Sequence, residues 1–453
     1  MSSEWTSLTI GDLVRQGEAT VQTGPFGSQL HSHDYVDSGT PVIPTEAIGR
    51  GKILDIAVPQ VDSSKAMELS RHRLQLGDIL FARRGAQATG LSAIVDRRHE
   101  GALCGTGALL LRVRSPRVDP SYLAVLLSSD TSYRWLRMHA VGAVMPNLNT
   151  DIIKSLPLEL PGIDEQRGLA RFLGAVDDRI TLLRETNATL EAIAQALFKS
   201  WFVDFDPVRA KQQGLAPAGM DDAAADLFPD SFEESALGPV PMGWPCIDLG
   251  ELTRRCGGRI QTGPFGSQLH AKDYVDAGIP VVMPKDIVNR RVSTDSIARI
   301  GAADVERLAR HKLQAGDIVF SRRGDVERHA PITEREVGWL CGTGCLLVRP
   351  GAHWQSPGFL SLLLDAPRAR TWLVQHAVGA TMPNLNTGIL SSVPVVLPPA
   401  ALLAAFDSLV AVTEVQRSSN ASMAETLAEI RDTLLPRLIS GQLRLPNVES
   451  VAT

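Results

Sequence analysis

The most regular pattern in this sequence is an apolar residue at alternating spacings of four and three, repeated along two long stretches. The first stretch runs from Leu169 to Trp201 and the second from Leu402 to Leu434. This heptad spacing is typical of a coiled coil, and a polar residue at the same seam position in both stretches is expected to fix the register. The predicted seam residues are Leu173, Val176, Ile180, Leu183, Asn187, Leu190 and Leu197 in the first helix, and Phe406, Leu409, Asn420, Met423, Leu427, Ile430 and Leu434 in the second.

Outside these stretches the apolar runs are short and are separated by glycine and proline. The runs DILF at 78–81 and ALLLRV at 108–113 predict strands, whereas 122–127 and 133–138 predict helices. The sequence therefore predicts mixed α/β domains that alternate with long helices. The predicted divisions are 1–161 for the first domain, 162–203 for the first long helix, 204–243 for a connector, 244–399 for the second domain, 400–445 for the second long helix and 446–453 for a tail.

The two domains are copies of one plan. QTGPFGSQLH at 22–31 recurs unchanged at 261–270, and HAVGAVMPNLNT at 139–150 recurs as HAVGATMPNLNT at 376–387. Such a long period indicates a duplicated domain with its following helix rather than a solenoid. The predicted fold class is therefore α/β (α+β), with two duplicated globular domains separated by two long helices. We expect these helices to pair as an antiparallel coiled coil with approximate two-fold symmetry.

The composition is that of a globular protein. Of 453 residues, 44% are apolar and 21% are charged, which argues against wholesale disorder. The chain has no apolar stretch of about 18 residues, and its first residues lack the pattern of a secretory signal. The cysteine count of five is odd and suggests reduced thiols. We therefore predict a cytoplasmic protein with no membrane partner.

The net charge of −5 at first argues against nucleic-acid binding. The charge is, however, unevenly distributed along the chain. Residues 5–161 hold 16 basic and 15 acidic side chains and residues 244–399 hold 18 and 14, whereas residues 203–243 hold 2 and 8. The acidic excess is therefore concentrated in the connector, and the two domains are mildly basic. The total charge does not exclude DNA as a ligand of the domains.

Several catalytic and cofactor motifs are absent. The sequence contains no P-loop, no dinucleotide-binding glycine pattern after a strand and no C-x-x-C pair. His31 and His33 beside Asp34 have the look of a metal cluster, but Lys272 replaces His33 in the second copy. A role shared by the two copies is therefore not metal binding. The polar residues kept in both copies, such as Asp34 and His139, are expected to cap turns, and we predict no catalytic residue.

The motifs in their order are similar to those of a known family. TGPFGSQL, then LQxGDI(L/V)F, then MPNLNT before a long helix occur in this order in both halves of the chain. LGPVPMGW at 237–244 resembles the entrance to a second recognition domain, and the segment 420–443 resembles a distal helix. Over nearly its whole length the chain resembles the specificity subunit of Type I restriction–modification enzymes.

The resemblance implies a DNA reader without catalytic activity of its own. Two target-recognition domains would each read one half of a bipartite site, and the paired helices would set the spacing and dock two methyltransferase (modification) subunits. Double-stranded DNA and restriction or motor subunits are the other implied partners. S-adenosylmethionine, ATP and Mg²⁺ would be used by the partner subunits, and this chain would bind no cofactor. The similarity of the two domains further suggests related half-sites.

Candidate DNA contacts are basic, amide or hydroxyl residues on glycine-flanked loops, or on loops where the copies diverge. Arginine reads guanine with two hydrogen bonds or holds phosphate, and amide side chains read adenine. Residues shared by the copies suit phosphate contacts, whereas divergent residues suit the choice of sequence. The candidates are Ser28, Gln29, Arg50, Lys52, Arg83, Arg84, Arg97 and Arg98 in the first domain, and Ser267, Gln268, Lys285, Arg290, Arg291, Arg322 and Arg323 in the second.

Two alternatives remain at this point. A fused restriction–methylation enzyme would need a methyltransferase domain with an N-P-P-(Y/F) loop, and MPNLNT is not such a loop. A coiled-coil scaffold that presents two ligand- or protein-binding domains would also explain the repeat and the heptads. Binding to DNA that weakens with salt would distinguish the DNA reader from the scaffold.

Overall fold

The computed structural model describes residues 5–85, 87–142, 145–266, 268–379 and 381–445. The chain forms two compact units. The first contains the chain up to Arg184 and again from Ser422 onward, and the second is Glu185–Ala421. Each unit therefore combines one α/β domain with part of each of two long helices.

A five-stranded sheet forms the centre of the first domain. Alternate side chains of its inner strands enter two different clusters, Phe81 and Leu109 on one face and Leu80 and Leu110 on the other. Both faces are buried, which explains why these strands appear in the sequence as continuous apolar runs. In spatial order the strands are Ala19–Thr23, Ala108–Val113, Ile79–Ala82, Ser92–Ile94 and Gly51–Lys52.

Smaller elements complete this domain. The described helices and 3₁₀ turns are Ile10–Arg15, Ser32–Asp34, Thr45–Ala47, Ser63–Glu68, Ser70–His72, Pro120–Ser128, Asp130–His139 and Thr150–Ser155. A second sheet has the strand order Tyr35–Val36, Gln60–Val61, Thr40–Ile43 and Leu103–Cys104, and Thr6–Thr9 pairs with Pro157–Leu160.

The second domain repeats this arrangement. Its larger sheet has the strand order Arg259–Thr262, Cys345–Arg349, Ile318–Ser321 and His329–Pro331, and its smaller sheet has the order Ala298–Ile300, Tyr274–Val282 and Leu340–Cys341. Two strand pairs are Cys246–Asp248 with Pro394–Val396 and Ile287–Val288 with Arg291–Val292. The helices and 3₁₀ turns are Leu249–Arg255, Ala271–Asp273, Pro284–Asp286, Ala302–Arg307, Ala309–His311, Glu334–Glu336, Pro357–Asp365, Pro367–His376 and Thr387–Ser391.

Two helices of 40 residues each account for the heptad stretches. We call Ile163–Phe202 the central helix and Ala400–Ile439 the distal helix. Each is about 60 Å long at 1.5 Å per residue. Within the first unit Arg431 bonds Asp177, and Ala424 packs with Ile180 and Leu183. Residues with higher numbers in the central helix therefore contact residues with lower numbers in the distal helix. The two helices are antiparallel.

The second unit has the same antiparallel order. The side-chain amide of Asn420 donates to Oδ1 of Asn187 at 3.0 Å, and Phe406 lies against Phe198 with ring centroids 6.1 Å apart. The central helix buries its predicted seam face: Leu173, Ile180 and Leu183 are buried, and Val176, Asn187, Leu190 and Leu197 are half-buried.

The distal helix departs from its predicted seam at every second position. Leu409, Met423 and Ile430 are exposed, although Phe406 and Asn420 are buried and Leu427 and Leu434 are half-buried, as expected for seam residues. The residues that turn inward instead each lie one position later along the helix. They are Val410, Arg417, Ala424 and Arg431. The prediction relied on apolar side chains alone and therefore placed these seam positions one residue too early. The inward arginines pair with carboxylates of the central helix, and a small side chain fits at position 424.

The acidic connector folds back onto the helix ends of its own unit. Phe205, Val208 and Phe228 are buried in one cluster with Trp201 and Trp244. The connector helices are Asp206–Gln212 and Asp222–Asp226, and the strand pair is Phe232–Ser235 with Gly238–Pro241. The five cysteines are free thiols. No helix within the described ranges is long and apolar enough to cross a membrane.

Candidate functional site

A cleft of about 310 Å³ opens in the first domain where two parallel strands end. Strand Thr40–Ile43 pairs in parallel with Leu103–Cys104, and the N–H of Gly105 donates to the carbonyl of Ile43 at 3.0 Å. The loops that follow the two strands therefore meet at one edge of the sheet. We call this the first cleft; the residues used below are Tyr35, Thr45, Glu46, Arg84, Gly105, Gly107 and Met145.

Close approach of two loops explains the repeated glycine motifs. A β-carbon on Gly24 of the TGPFG motif would lie 1.9 Å from the carbonyl oxygen of Gly105, which no side chain allows. In the second copy a β-carbon on Gly263 would lie 2.0 Å from the carbonyl oxygen of Gly342. Both copies therefore need glycine where the loops touch.

The structure separates the two arginines predicted as a pair in the first domain. Nε of Arg83 donates to Oδ1 of Asn147 at 3.0 Å and to the carbonyl of Leu148 at 3.2 Å. This side chain holds the MPNLNT segment and serves the fold. Arg84 is exposed, lines the first cleft and has no side-chain partner among the described residues.

The second domain also has one half-buried and one exposed arginine, but the buried Nε of Arg322 has no hydrogen-bond partner among the described residues, unlike that of Arg83. The backbone of Arg322 donates to the carbonyl of Gly344 at 2.9 Å and accepts from Leu385 at 2.9 Å, and its side chain is half-buried. Arg323 is exposed, and no side-chain partner is present in the part of the chain that the structure describes. Each domain thus presents one exposed arginine without a side-chain partner at the same place, Arg84 in the first and Arg323 in the second.

The repeated MPNLNT block has a structural role. Asn149 and Asn386 are the N-caps of helices Thr150–Ser155 and Thr387–Ser391, and their side-chain oxygens accept from backbone N–H groups. Nδ1 of His139 bonds the carbonyl four residues earlier at 2.8 Å, and its counterpart does the same. These polar residues satisfy helix ends, as caps do.

The amide candidates hold their own turn. Oε1 of Gln29 accepts from the N–H of Phe26 at 3.0 Å, and Oε1 of Gln268 accepts from Phe265 at 3.1 Å. Both amide oxygens are therefore already engaged. Ser28 is exposed on this turn, and its counterpart Ser267 lies outside the described residues.

The divergent loop of the first domain carries Arg50 and Lys52. Nε of Arg50 donates to the carbonyl of Ser128 at 2.7 Å, and its guanidinium also pairs with Asp130. Lys52 is exposed and has no side-chain partner within the described ranges. Of the two, Lys52 is the more available for a ligand.

The matching loop of the second domain is fastened to the protein more strongly. Arg290 forms an ion pair with Glu191 of the central helix and donates to Oγ of Ser361 at 2.6 Å. Arg290 has a φ of 57°, in the left-handed region, where the first copy has Gly51. Its predicted role in DNA contact is therefore replaced by an internal one. Burial lowers the pKa of neighbouring Arg291, which is half-buried.

Three further basic candidates, Lys285, Arg97 and Arg98, lie at the surface. Lys285 has 60% of its side chain exposed, although its Nζ donates to the carbonyl of Ser296 at 3.0 Å. Arg97 and Arg98 are exposed on the turn that follows strand Ser92–Ile94. These side chains are placed to meet a ligand at the surface.

Of the residues that line the first cleft, only Arg84 was among the predicted candidates. Tyr35, Thr45, Glu46 and Met145 line the first cleft, and burial raises the pKa of Tyr35. The predicted candidates are basic, amide or hydroxyl side chains, and the acidic Glu46 is not one of them. Alignment of the two copies does indicate this position, because Glu46 aligns with Lys285. Among the described residues no three His, Cys, Asp or Glu side chains form a group that could hold a metal ion.

Comparisons with known proteins agree with this architecture. Residues 3–192 match the family model of the Type I restriction modification DNA specificity domain. The Type I restriction enzyme HindI specificity subunit of Haemophilus influenzae is 27% identical and aligns over 97% of this chain and 100% of its own length. The MjaIX specificity subunit of Methanocaldococcus jannaschii is 25% identical over 72% of this chain and 70% of its own length.

A solved structure has the same fold. The S subunit of a Type I restriction–modification system from M. genitalium superposes with a TM-score of 0.57 at 15% identity, covering 99% of this chain and 97% of that one. The resemblance predicted from the repeated motifs is therefore confirmed. Residues 3–192 match the model of the Type I restriction modification DNA specificity domain, the second half repeats its motifs, and nearly the whole chain is similar to specificity subunits of Type I restriction enzymes.

Proposed function

We propose that this chain selects the DNA sequence for a Type I restriction–modification complex, and that each α/β domain reads one half of a bipartite site. The observation that carries the proposal is an exposed, unpaired arginine at the same place in both domains, Arg84 beside the first cleft and Arg323 in the second copy. An unpaired guanidinium suits phosphate or the guanine edge. Its repetition suits a ligand that presents two similar halves.

The helices supply the spacing in this proposal. The two 40-residue helices are antiparallel, and antiparallel pairing of equivalent helices suits two half-sites of opposite orientation. Half-sites on one face of B-DNA lie about 34–36 Å apart or at multiples of that distance. A rod of about 60 Å is long enough to set such a separation. We infer that helix length determines the non-specific spacer.

We further propose that methyltransferase subunits dock on these helices. Large apolar side chains are exposed on both, among them Ile193 on the central helix and Val412 and Val415 on the distal helix. Exposed apolar groups of this kind are typical of protein–protein interfaces. In this proposal the partners carry the methylation and cleavage activities and use S-adenosylmethionine, ATP and Mg²⁺, and the chain itself binds no cofactor.

DNA binding by the chain in complex with its methyltransferase subunits tests the proposal. We expect Arg84→Ala or Arg323→Ala to weaken binding about 5- to 100-fold, or to reduce the salt slope by about one if the contact is to phosphate. Arg15→Ala is the control, because Arg15 is exposed but pairs with Asp12 and does not line the cleft. Binding that is independent of salt in the unmodified complex would favour the scaffold instead.

A further inference from the structure

One position beside the cleft reverses its charge between otherwise matching domains. The first domain has Glu46 and the second has Lys285, and each is the middle residue of a 3₁₀ turn that is separated from the preceding strand by one residue, Thr45–Ala47 and Pro284–Asp286. Differences of this kind separate two readers of related half-sites, because shared residues cannot distinguish one sequence from another.

The backbone around the two positions is the same. In the first domain the N–H of Gly105 donates to the carbonyl of Ile43 at 3.0 Å, and in the second the N–H of Gly342 donates to the carbonyl of Val282 at 2.9 Å. Both turns leave a strand that pairs in parallel with the strand preceding that glycine. Glu46 and Lys285 therefore start from equivalent points of the fold.

Neighbouring residues are also placed alike. A β-carbon on Gly107 would meet Oγ1 of Thr45 at 2.1 Å, and one on Gly344 would meet Cγ of Pro284 at 3.4 Å, so the turn lies against the same glycine in both copies. The unpaired arginine is likewise common to both domains. The surrounding backbone is therefore alike in the two domains. The side chain at this position differs in charge, because it is Glu46 in the first domain and Lys285 in the second.

Both side chains are available to a ligand. Glu46 is exposed and has no hydrogen bond or ion pair among the described residues. Lys285 is 60% exposed; its Nζ donates to the carbonyl of Ser296 and lies 4.0 Å from Oδ1 of Asp286, which leaves donor hydrogens of the ammonium group for a ligand. A carboxylate cannot serve as a phosphate contact, because both carry negative charge. At a DNA-facing cleft its suitable partner is an amino group on a base edge.

We propose that Glu46 and Lys285 determine the base at one equivalent position of the two half-sites. Glu46 accepts a hydrogen bond from the N4 amino group of cytosine, and Lys285 donates to O6 or N7 of guanine. The same base pair is thus read in opposite orientations by the two domains. This inference rests on the proposed function and names which base of each half-site the charge-reversed position selects.

The test is selection of bound sequences from a randomised DNA library by the chain in complex with its methyltransferase subunits. We expect Glu46→Lys to change one position of the first half-site from cytosine to guanine, and Lys285→Glu to change one position of the second from guanine to cytosine. The preference should shift about 10- to 100-fold at that position. Glu46→Gln, which keeps the size of the side chain, should weaken the preference for cytosine without altering other positions.

Glu68→Lys is the matched control, because Glu68 is an exposed carboxylate of the same domain that does not line the cleft, and its motif should stay unchanged. An unchanged motif in both charge reversals, changes in both halves at once, or loss of all binding by correctly folded variants would overturn the inference. If the unmodified complex selects no two-part motif, the proposed function fails instead, so the two failures are distinguishable.

Discussion

Removal of the Glu191 carboxylate should destabilise the second unit more than removal of any exposed carboxylate on the same helix. Glu191 pairs with Arg290 from the second α/β domain and with Arg417 from the distal helix. The exposed fractions of the three side chains are 18%, 12% and 7%, so this is a largely buried network. Each arginine would lose one of its two carboxylate partners at a site that water reaches poorly.

The expected loss of stability depends on which carboxylates still pair with the two arginines after Glu191 is replaced. Breaking a buried ion pair by deleting one partner costs about 3–5 kcal/mol. Arg290 would keep Asp365, whose carboxylate lies 3.9 Å from its Nε, and Arg417 would keep Glu414. We therefore expect about 3 kcal/mol for Glu191→Ala, at the lower end of that range. Glu191→Gln should cost less, because the amide oxygen still accepts a hydrogen bond.

The assay is urea unfolding followed by intrinsic tryptophan fluorescence and by hydrogen exchange of the second unit, since a chain with two units need not unfold in one step. Asp178→Ala on the central helix is the control, because Asp178 is exposed and has no ion pair in the described part of the chain. The loss should persist at 0.5 M salt, which screens buried pairs weakly. A free energy of unfolding for Glu191→Ala within about 0.5 kcal/mol of the control would refute the reasoning.

Three further predictions test other parts of the structure. Insertion of seven residues into both long helices at matched points should lengthen the spacer between half-sites by about three base pairs, since seven residues add about 10 Å; an unchanged spacer in the methylated motif contradicts this. Burial raises the pKa of Asp407 from 3.8 to about 6, so its contribution to stability is present below pH 3.8 and is lost as the pH rises through 6. Asp407→Asn should therefore gain stability over the unmodified chain between pH 4 and pH 7 in thermal unfolding, and a constant difference would be inconsistent with that origin. Asn420→Leu alone should lower the Tm, because Oδ1 of Asn187 loses its donor while Nδ2 of Asn187 keeps the carbonyl of Arg417, whereas Leu at both positions should raise it; equal effects would show that the 3.0 Å bond between the two asparagines is immaterial.

The repeat and the heptads predicted most of the architecture. Identical motifs implied a duplicated α/β domain, and the alternating spacings implied two paired helices, because both features are patterns of sequence alone. The seam of the distal helix was only half predictable. At positions 410, 417, 424 and 431 the inward residues are Val, Arg, Ala and Arg, and an arginine is selected there only because a carboxylate of the opposite helix neutralises it. That partner is visible only once the two helices are aligned.

The candidate site was predictable as a region but not residue by residue. The sequence indicated adjacent arginines, but only tertiary contacts distinguish Arg83, which bonds Asn147, from the free Arg84. The sequence predicted that Arg290 is a basic residue at the surface, whereas in the structure its loop lies beside Glu191 and the two side chains form an ion pair. The aromatic residues of the connector show the same limit. Phe205 and Phe228 have no periodic spacing, yet both are buried in one cluster, because packing rather than period brings them together.

Mapping of methylated bases in cells that contain this chain and its methyltransferase partner tests the central claim most directly. The chain should produce a two-part motif with a fixed non-specific spacer. A chimera in which residues 5–161 are replaced by residues 244–399 should then produce a palindromic motif built from the second half-site. A single continuous motif, or a chimera that keeps both original half-sites, would contradict the claim that each domain reads one half.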